Sequence, residues 1–466
     1  LELEAAVEAE VREAAEAALA SPDPEPALTA KAPLPDVLTA PPAPPGDAPL
    51  TMLEAMRGVL RAHLRTDPRV SVYGEDVEDP KGDVFGLTRG LSTDFPGRVA
   101  NSPLAEATID GVSVGRALAG GIPVACMQFA DFMPVGFNQI ITEMATMHWR
   151  SNGGWEAPVV VMAPCGGYRP GLGPWHAATH EATLGHVPGL DVVMPSTAAD
   201  AAGLLNAVLA GGRPTVFLYP KTCLNDPALA APPEALGEVV RPGTARVVEH
   251  GDDLTIVTWG STVPICARAV QALQAGGVSC DLIDLRSISP WDREAVVASA
   301  RRTGRLLVVH EDALTGGFGA EVLASVMEAL PGRVTARRVA RPDTHVPCNY
   351  NNQIAVLPGL RGVLEAAAGM VGVEVRFAEP AAEDGVLVLE AAGSSPADQQ
   401  VTVLEWLVRD GDEVAAGDLI AECEADKAAF ELRAPASGVI GDLHPESDAV
   451  PVGTPIARIR LAEGDR

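Results

Sequence analysis

The run Val124-Ala125-Cys126-Met127-Gln128-Phe129 is apolar at every position except Gln128. Such a run reads as a strand buried on both faces, because a strand with one wet face would alternate. The same texture returns at residues 70–73, just before Gly74-Glu75-Asp76, and at 158–162, 190–194 and 215–218. Helical patterns separate these strands, starting with residues 52–64. Ser102-Pro103 predicts a further helix start, with Ser as N-cap and Pro in the first helical position. Continuous apolar strands alternating with helices imply a parallel sheet covered on both sides.

A second α/β unit follows. Strands are expected at 253–259, 279–284 and 305–310, with helices at 264–274 and 320–330. The two units divide as 51–243 and 244–370. Residues 371–385 form a mostly acidic connection that spans at most about 50 Å when fully extended. Residues 386–462 hold short strands punctuated by Gly411, Gly417, Gly438 and Gly453, the pattern of a small all-β domain. Before the body, residues 1–20 place Val7, Val11, Ala14 and Ala18 at helical spacing. Residues 21–50 carry ten prolines and read as an extended linker that wraps a surface or spans a gap.

The 466 residues include 62 acidic and 34 basic side chains, a net charge of −28. This balance argues against a nucleic-acid face and against an anionic membrane. No apolar run was expected to approach the ~18 residues needed to span a bilayer. Seven dispersed cysteines without CxxC spacing read as reduced thiols in a cytoplasmic compartment. No histidine cluster suggests a metal site. Lysine is scarce: Lys31, Lys81, Lys221 and Lys427 stand against thirty arginines.

The all-β tail contains Ala421-Glu-Cys-Glu-Ala-Asp-Lys427-Ala-Ala-Phe-Glu431, read as two strands joined at Asp426-Lys427. The lysine falls at the hairpin tip, where a solvated turn lysine would also fit. Together with Glu405-Trp-Leu-Val, Asp410-Gly-Asp, Gly417-Asp-Leu and Ala434-Pro-x-x-Gly-Val, the segment resembles a lipoyl domain over its whole length. A biotin carrier would place Met on both sides of the lysine. The resemblance implies lipoic acid in amide linkage on Lys427. The amide removes a charge that would oppose entry to an apolar site.

Residues 51–370 resemble the β subunit of the thiamine diphosphate-dependent 2-oxo acid dehydrogenase decarboxylase component. The resemblance rests on Tyr73-Gly-Glu-Asp-Val, Arg98-Val-x-Asn-Ser-Pro-Leu-x-Glu106, Gln128-Phe-Ala-Asp-Phe132, Asp284-Leu-Arg-Ser-Ile-Ser-Pro, His310-Glu-Asp and Thr315-Gly-Gly-Phe-Gly-Ala-Glu. It implies two doubly wound parallel-sheet domains of the transketolase kind, a pyrimidine-binding one and a C-terminal one, ahead of the all-β lipoyl domain. On spacing alone, Glu106 is equally a first-turn acid that favours the helix dipole. The resemblance assigns it to the cofactor's aminopyrimidine, Phe132 to stacking on that ring, and Gln128 to a neighbouring contact. His176 follows the glycine-rich loop 166–173 and is implied as the residue that assists reductive acylation of lipoyl. Here Ala177-Ala178 replace the family's Ser-Gln. His180 is a weaker candidate, and His186 is expected to pack structurally.

The diphosphate–Mg²⁺ signature Gly-Asp-Gly is absent from the sequence. Metal and diphosphate are therefore expected on an α subunit or a fused α segment. Residues 7–26 resemble the tail of such a subunit, which raises the expectation of an α–β fusion or a fragment of one. A heterotetramer or a dimer of fusions and a lipoyl acyltransferase core are the partners implied. Gln128-Phe-Ala-Asp-Phe and Trp149-Arg-Ser-Asn-Gly look closer to the branched-chain type than to the pyruvate type. A pyruvate-type enzyme and a catalytically inactive lipoyl scaffold are the alternatives. Transketolase-like ketol transfer has no use for a disulfide acceptor.

Overall fold

The structure is a computed structural model that describes residues 2–23, 28–43, 46–374, 386–391, 400–425, 428–451 and 453–461. Its first sheet contains β1 (Val70–Gly74), β2 (Val99–Asn101), β3 (Ile122–Cys126), β4 (Val160–Cys165), β5 (Asp191–Val193) and β6 (Thr215–Pro220). A second sheet contains β7 (Arg246–Glu249), β8 (Leu254–Thr258), β9 (Cys280–Asp284), β11 (Arg305–Ala313) and β12 (Thr335–Arg341). Between β9 and β11 in the chain, β10 (Ser287–Ser289) crosses back and pairs with the first sheet.

The first sheet has the order β10-β5-β6-β4-β3-β1-β2, and the second β12-β11-β8-β9-β7. All pairings are parallel except those of the edge strands β10 and β7, which run antiparallel. One apolar cluster joins the two domains, with Val161 and Met194 on one side and Trp259, Ile283 and Val308 on the other. Separate clusters cover the opposite faces of the two sheets. The central strands are thus buried on both sides, which is why β3, β4, β6 and β8 are largely apolar, whereas the edge strands β7 and β12 are partly exposed and carry arginines.

The helix Met52–Thr66 opens with a capping box. Thr51 Oγ1 accepts from Glu54 N, and the Glu54 carboxylate accepts from Thr51 N. The helix expected from Ser102-Pro103 starts later. Ala105 N donates to Pro103 O in a tight turn, Ser102 N donates to Gly74 O, and the helix runs Glu106–Leu118. Ser102 continues the strand pairing beside Gly74, and its Oγ is buried without a partner, so it caps nothing. The shift makes Glu106 the first helical residue.

Residues 28–43 lie along the body. Lys31 Nζ reaches Asp191 Oδ1 at 2.8 Å and Ser289 Oγ at 2.9 Å, and Arg241 donates to Pro35 O at 2.9 Å. The helix Glu2–Ala20 buries no residue, so its apolar face is uncovered. By length and composition, Asn352–Val371 is apolar enough to cross a membrane, against the sequence expectation. The chain breaks there at Pro358-Gly359, and the helix Leu360–Val371 buries Val363, Leu364 and Ala367 against the second sheet.

The tail folds as two four-stranded antiparallel sheets around Leu389, Val403, Ile420 and Ile459. Its strands are β13 (Val386–Glu390), β14 (Gln400–Trp406), β15 (Glu413–Val414), β16 (Leu419–Ala425), β17 (Ala428–Arg433), β18 (Gly438–Gly441), β19 (Ala449–Pro451) and β20 (Pro455–Leu461). β16 and β17 pair antiparallel, with Ala425 opposite Ala428. Asp426 and Lys427 connect them and lie outside the described residues.

Candidate active site

The C-terminal ends of β1 and β3 deliver the first group of side chains, as expected for an open parallel sheet. Gly74 ends β1 against the backbone of Cys126, and a Cβ at this position would collide with the Cys126 carbonyl. This contact brings Gly74-Glu75-Asp76 beside Met127-Gln128-Phe129. Gln128 Nε2 donates to Asp76 Oδ2 at 3.0 Å, and Lys81 pairs with the same carboxylate.

The turn Ala130–Gly136 then folds over the start of the helix Glu106–Leu118. A Cβ at Gly136 would strike the Asp110 carboxylate and stand 3.4 Å from Glu106 O, so this position is shaped for glycine. Three carboxyl groups gather here. Glu75 is nearly fully buried, and its pKa is pushed up by burial and then by the charges of Glu106 and Asp76. Asp110, one turn beyond Glu106, is pushed well up by burial and then by Glu106. Both Asp110 carboxyl oxygens and Glu75 Oε1 are buried without a hydrogen-bond partner. Burial and like charge both favour the neutral acid.

His176 arrives from the other side, after the loop 166–173. Its ring stands edge-on to Phe129 at 4.6 Å and to Phe132 at 5.8 Å. Its Nδ1 lies 3.3 Å from Leu172 O, and Nε2 has no hydrogen-bond partner among the described residues. Asp131 Oδ1 accepts from both Ala177 N and Ala178 N at 3.0 Å. These two residues serve through their amides, so alanine suffices for this contact. Sequence reasoning had singled out Gln128, Phe132 and His176, and all three segments meet here. His180 instead packs near Phe137, with ring centroids 6.3 Å apart. His186 is exposed, not packed as expected, because the turn after the helix Glu181–Gly185 directs it outward.

Four residues at this site went unread. Lys221, buried where β6 ends, donates to His176 O at 2.7 Å and sits 5.3 Å from the Phe129 ring centroid. Burial lowers its pKa to about 8, against the opposing pull of Cys165, Asp131 and Glu311. Glu311, on β11 of the second domain, accepts from Gly167 N. Burial raises its carboxyl to about 7, while bonds from Ser261 and Gly167 hold it back. Gln353 Nε2 donates to Gly167 O and, at 2.6 Å, to Arg169 O. Asp131, the fourth, stood inside the quoted Gln128–Phe132 run, and Glu311 inside His310-Glu-Asp. The scarcity of lysine was the only signal for Lys221, and Gln353 had none.

A groove of about 1170 Å³ opens beside Lys221 and Arg169, with Leu387–Ala391 of the tail on its far wall. A heteroaromatic ring fits the site chemically. It offers a carboxyl group at a helix start, partly exposed aromatic faces, and buried acid oxygens that lack donors.

Comparison with known proteins agrees with this architecture. Residues 48–227 match the family "Transketolase, pyrimidine binding domain". Residues 243–358 match "Transketolase, C-terminal domain", and 391–459 match "Biotin-requiring enzyme". A 2-oxoisovalerate dehydrogenase subunit beta from Bacillus subtilis is 39% identical over 63% of this chain and 90% of its own length. A pyruvate dehydrogenase E1 component subunit beta from the same organism is 36% identical over 69% of this chain and 98% of its own. Among solved structures, a split-gene transketolase described as an inactive β4 tetramer superposes with a TM-score of 0.59 at 23% identity. It covers 70% of this chain and all of its own, a likeness of fold.

Proposed function

Because the chain belongs to the family of 2-oxo acid dehydrogenase E1 β subunits, we propose that it works in the oxidative decarboxylation of a branched-chain 2-oxo acid and the transfer of the acyl group to lipoyl-Lys427. The observation that carries this reading is the meeting of Phe132 and His176 around Phe129, on a segment folded over Glu106. Thiamine diphosphate, when bound, supplies the electron sink that makes loss of CO₂ possible. Glu106, Gln128 and Phe132 would hold its pyrimidine side. The diphosphate and its Mg²⁺ belong to an α partner or α segment.

This chain's own groups divide the remaining work. The Glu106 carboxyl holds or yields a proton at its oxygen, while burial and the Glu106 charge push the neighbouring acids Glu75 and Asp110 toward their neutral forms. Phe129 and Phe132 exclude water around the His176 ring. His176 Nε2 delivers a proton to the sulfur that leaves when the lipoyl disulfide opens. The acylated arm then serves an acyltransferase core.

The branched-chain preference rests on Gln128-Phe-Ala-Asp-Phe and Trp149-Arg-Ser-Asn-Gly. Relatives of both the branched-chain and pyruvate types match at similar identity. The test is CO₂ release by the assembled enzyme from 2-oxoisovalerate, pyruvate and 2-oxoglutarate, with intact mass on the Lys427 peptide. Highest kcat/KM for 2-oxoisovalerate and an acyl-lipoyl mass are expected. A clear preference for pyruvate would sink the branched-chain assignment.

A further inference from the structure

The chain carries a net charge of −28, yet one groove collects cations. Arg57, Arg89, Arg169 and Lys221 line its body side, where Asp226 is the one acidic residue among the described lining residues. Arg57 and Arg89 are close enough to lower the Arg57 pKa, after burial, through like charge. Arg169 reaches over the Phe85 ring, 5.6 Å from its centroid. The groove leads to Lys221, which grips the backbone of His176.

The opposite wall is part of the same chain. It includes Leu387, Leu389, Glu390, Gln400, Leu432 and Arg433 of the all-β domain, the last ion-paired with Glu431. Residues 386–461 hold 14 acidic side chains against five basic ones. Across the groove, burial and then the Glu390 carboxylate push the Tyr350 phenol up. A domain acidic as a whole therefore meets a cationic body wall, the arrangement that steers and orients a docking partner, although its own wall holds both Glu390 and Arg433.

We propose that this groove is the docking seat of the chain's own lipoyl domain, so that the acyl acceptor is presented to His176 of the same polypeptide. The second half of this statement rests on the functional reading given above. The tether from Val371 to Val386 is 15 residues, which limits its reach to about 50 Å. Such tethering holds a domain at an effective concentration of about a millimolar, well above its bulk concentration at micromolar protein. The seat retains a groove of about 1170 Å³, so its two walls are not closely packed. That suits a carrier that must also leave to unload.

Two measurements on the assembled enzyme test this. The first is hydrogen exchange of segments 386–391 and 85–90 in the full chain, compared with Arg89→Glu. Arg89 is exposed, so the reversal leaves the thermal midpoint unchanged. Exchange of both segments is expected to quicken about fivefold in the variant, and in wild type at ~0.5 M salt as surface attraction is screened. Unchanged exchange overturns the seat. The second mixes a Lys427→Arg chain with a Glu106→Ala chain. Acylation of the intact Lys427 is expected at about a tenth of wild type or less, because the tether favours its own site. Wild-type acylation in the mixture overturns same-chain delivery in favour of transfer between chains. No acyl mass on wild type with any 2-oxo acid defeats the functional reading and same-chain delivery with it. The exchange measurement still decides the seat.

Discussion

Glu106 and His176 approach one site from opposite sides, in surroundings built on opposite plans. Around Glu106, carboxyl groups crowd one another, and buried acid oxygens of Glu75 and Asp110 lack donors. Around His176, nearly every backbone handle is held. Lys221 takes its carbonyl, Asp131 takes the next two amides, and Glu311 and Gln353 reach from the second domain to the loop before it. The first arrangement raises the proton affinity of Glu75 and Asp110 and leaves position to what binds. The second fixes position in advance, which is what a group that must meet a mobile acceptor requires.

The sharpest way to break this contrast is Glu106→Gln. CO₂ release from every 2-oxo acid should fall about 10³-fold, with the thermal midpoint held. A loss below tenfold would remove Glu106 from the chemistry. His176→Ala should lower acylation of lipoyl about 10²-fold, while CO₂ release to an artificial oxidant stays within about twofold. Equal loss in both assays would erase the division of labour. Lys221→Met should cost acylation about tenfold in kcat, because it loosens the histidine's backbone, while CO₂ release to an artificial oxidant stays within about twofold.

The smallest expected effect concerns pH. Glu311 titrates near 7 in the fold and near 4.5 when unfolded. Between those values the folded chain binds more protons than the unfolded one. The stability due to the neutral acid is therefore complete below 4.5 and is lost as pH rises through 7. Glu311→Gln should flatten that part of the melting profile by a few degrees, about 3 °C. An unaltered slope between pH 4.5 and 7 would show that the carboxyl ionises normally.

The sheets were legible because central strands buried on both sides are largely apolar, and residues 124–126 declare this openly, although β3 begins at Ile122 and ends before Gln128. The meeting of Phe132 with His176 was legible only through resemblance. The brace behind His176 was not, for a physical reason. Lys221 lies 45 residues from His176, and Gln353 lies 184 from Arg169. No local pattern records pairings across such distances. Local chemistry could also mislead. Ser102-Pro103 has every mark of a helix start, but Ser102 extends the pairing with β1, Pro103 O takes Ala105 N in a tight turn, and the helix waits until Glu106.

Asp191 gives the proline-rich arm a significance beyond packing. Its one buried carboxylate takes Lys31 from the arm on one oxygen and Arg213 from the first domain on the other. Lys31 also holds Ser289 of β10, the strand that the second domain lends to the first sheet. Three parts of the chain are thus riveted at one point. A tug on the N-terminal arm is delivered as shear to the seam between the domains, the seam across which Glu311 and Gln353 hold the histidine loop.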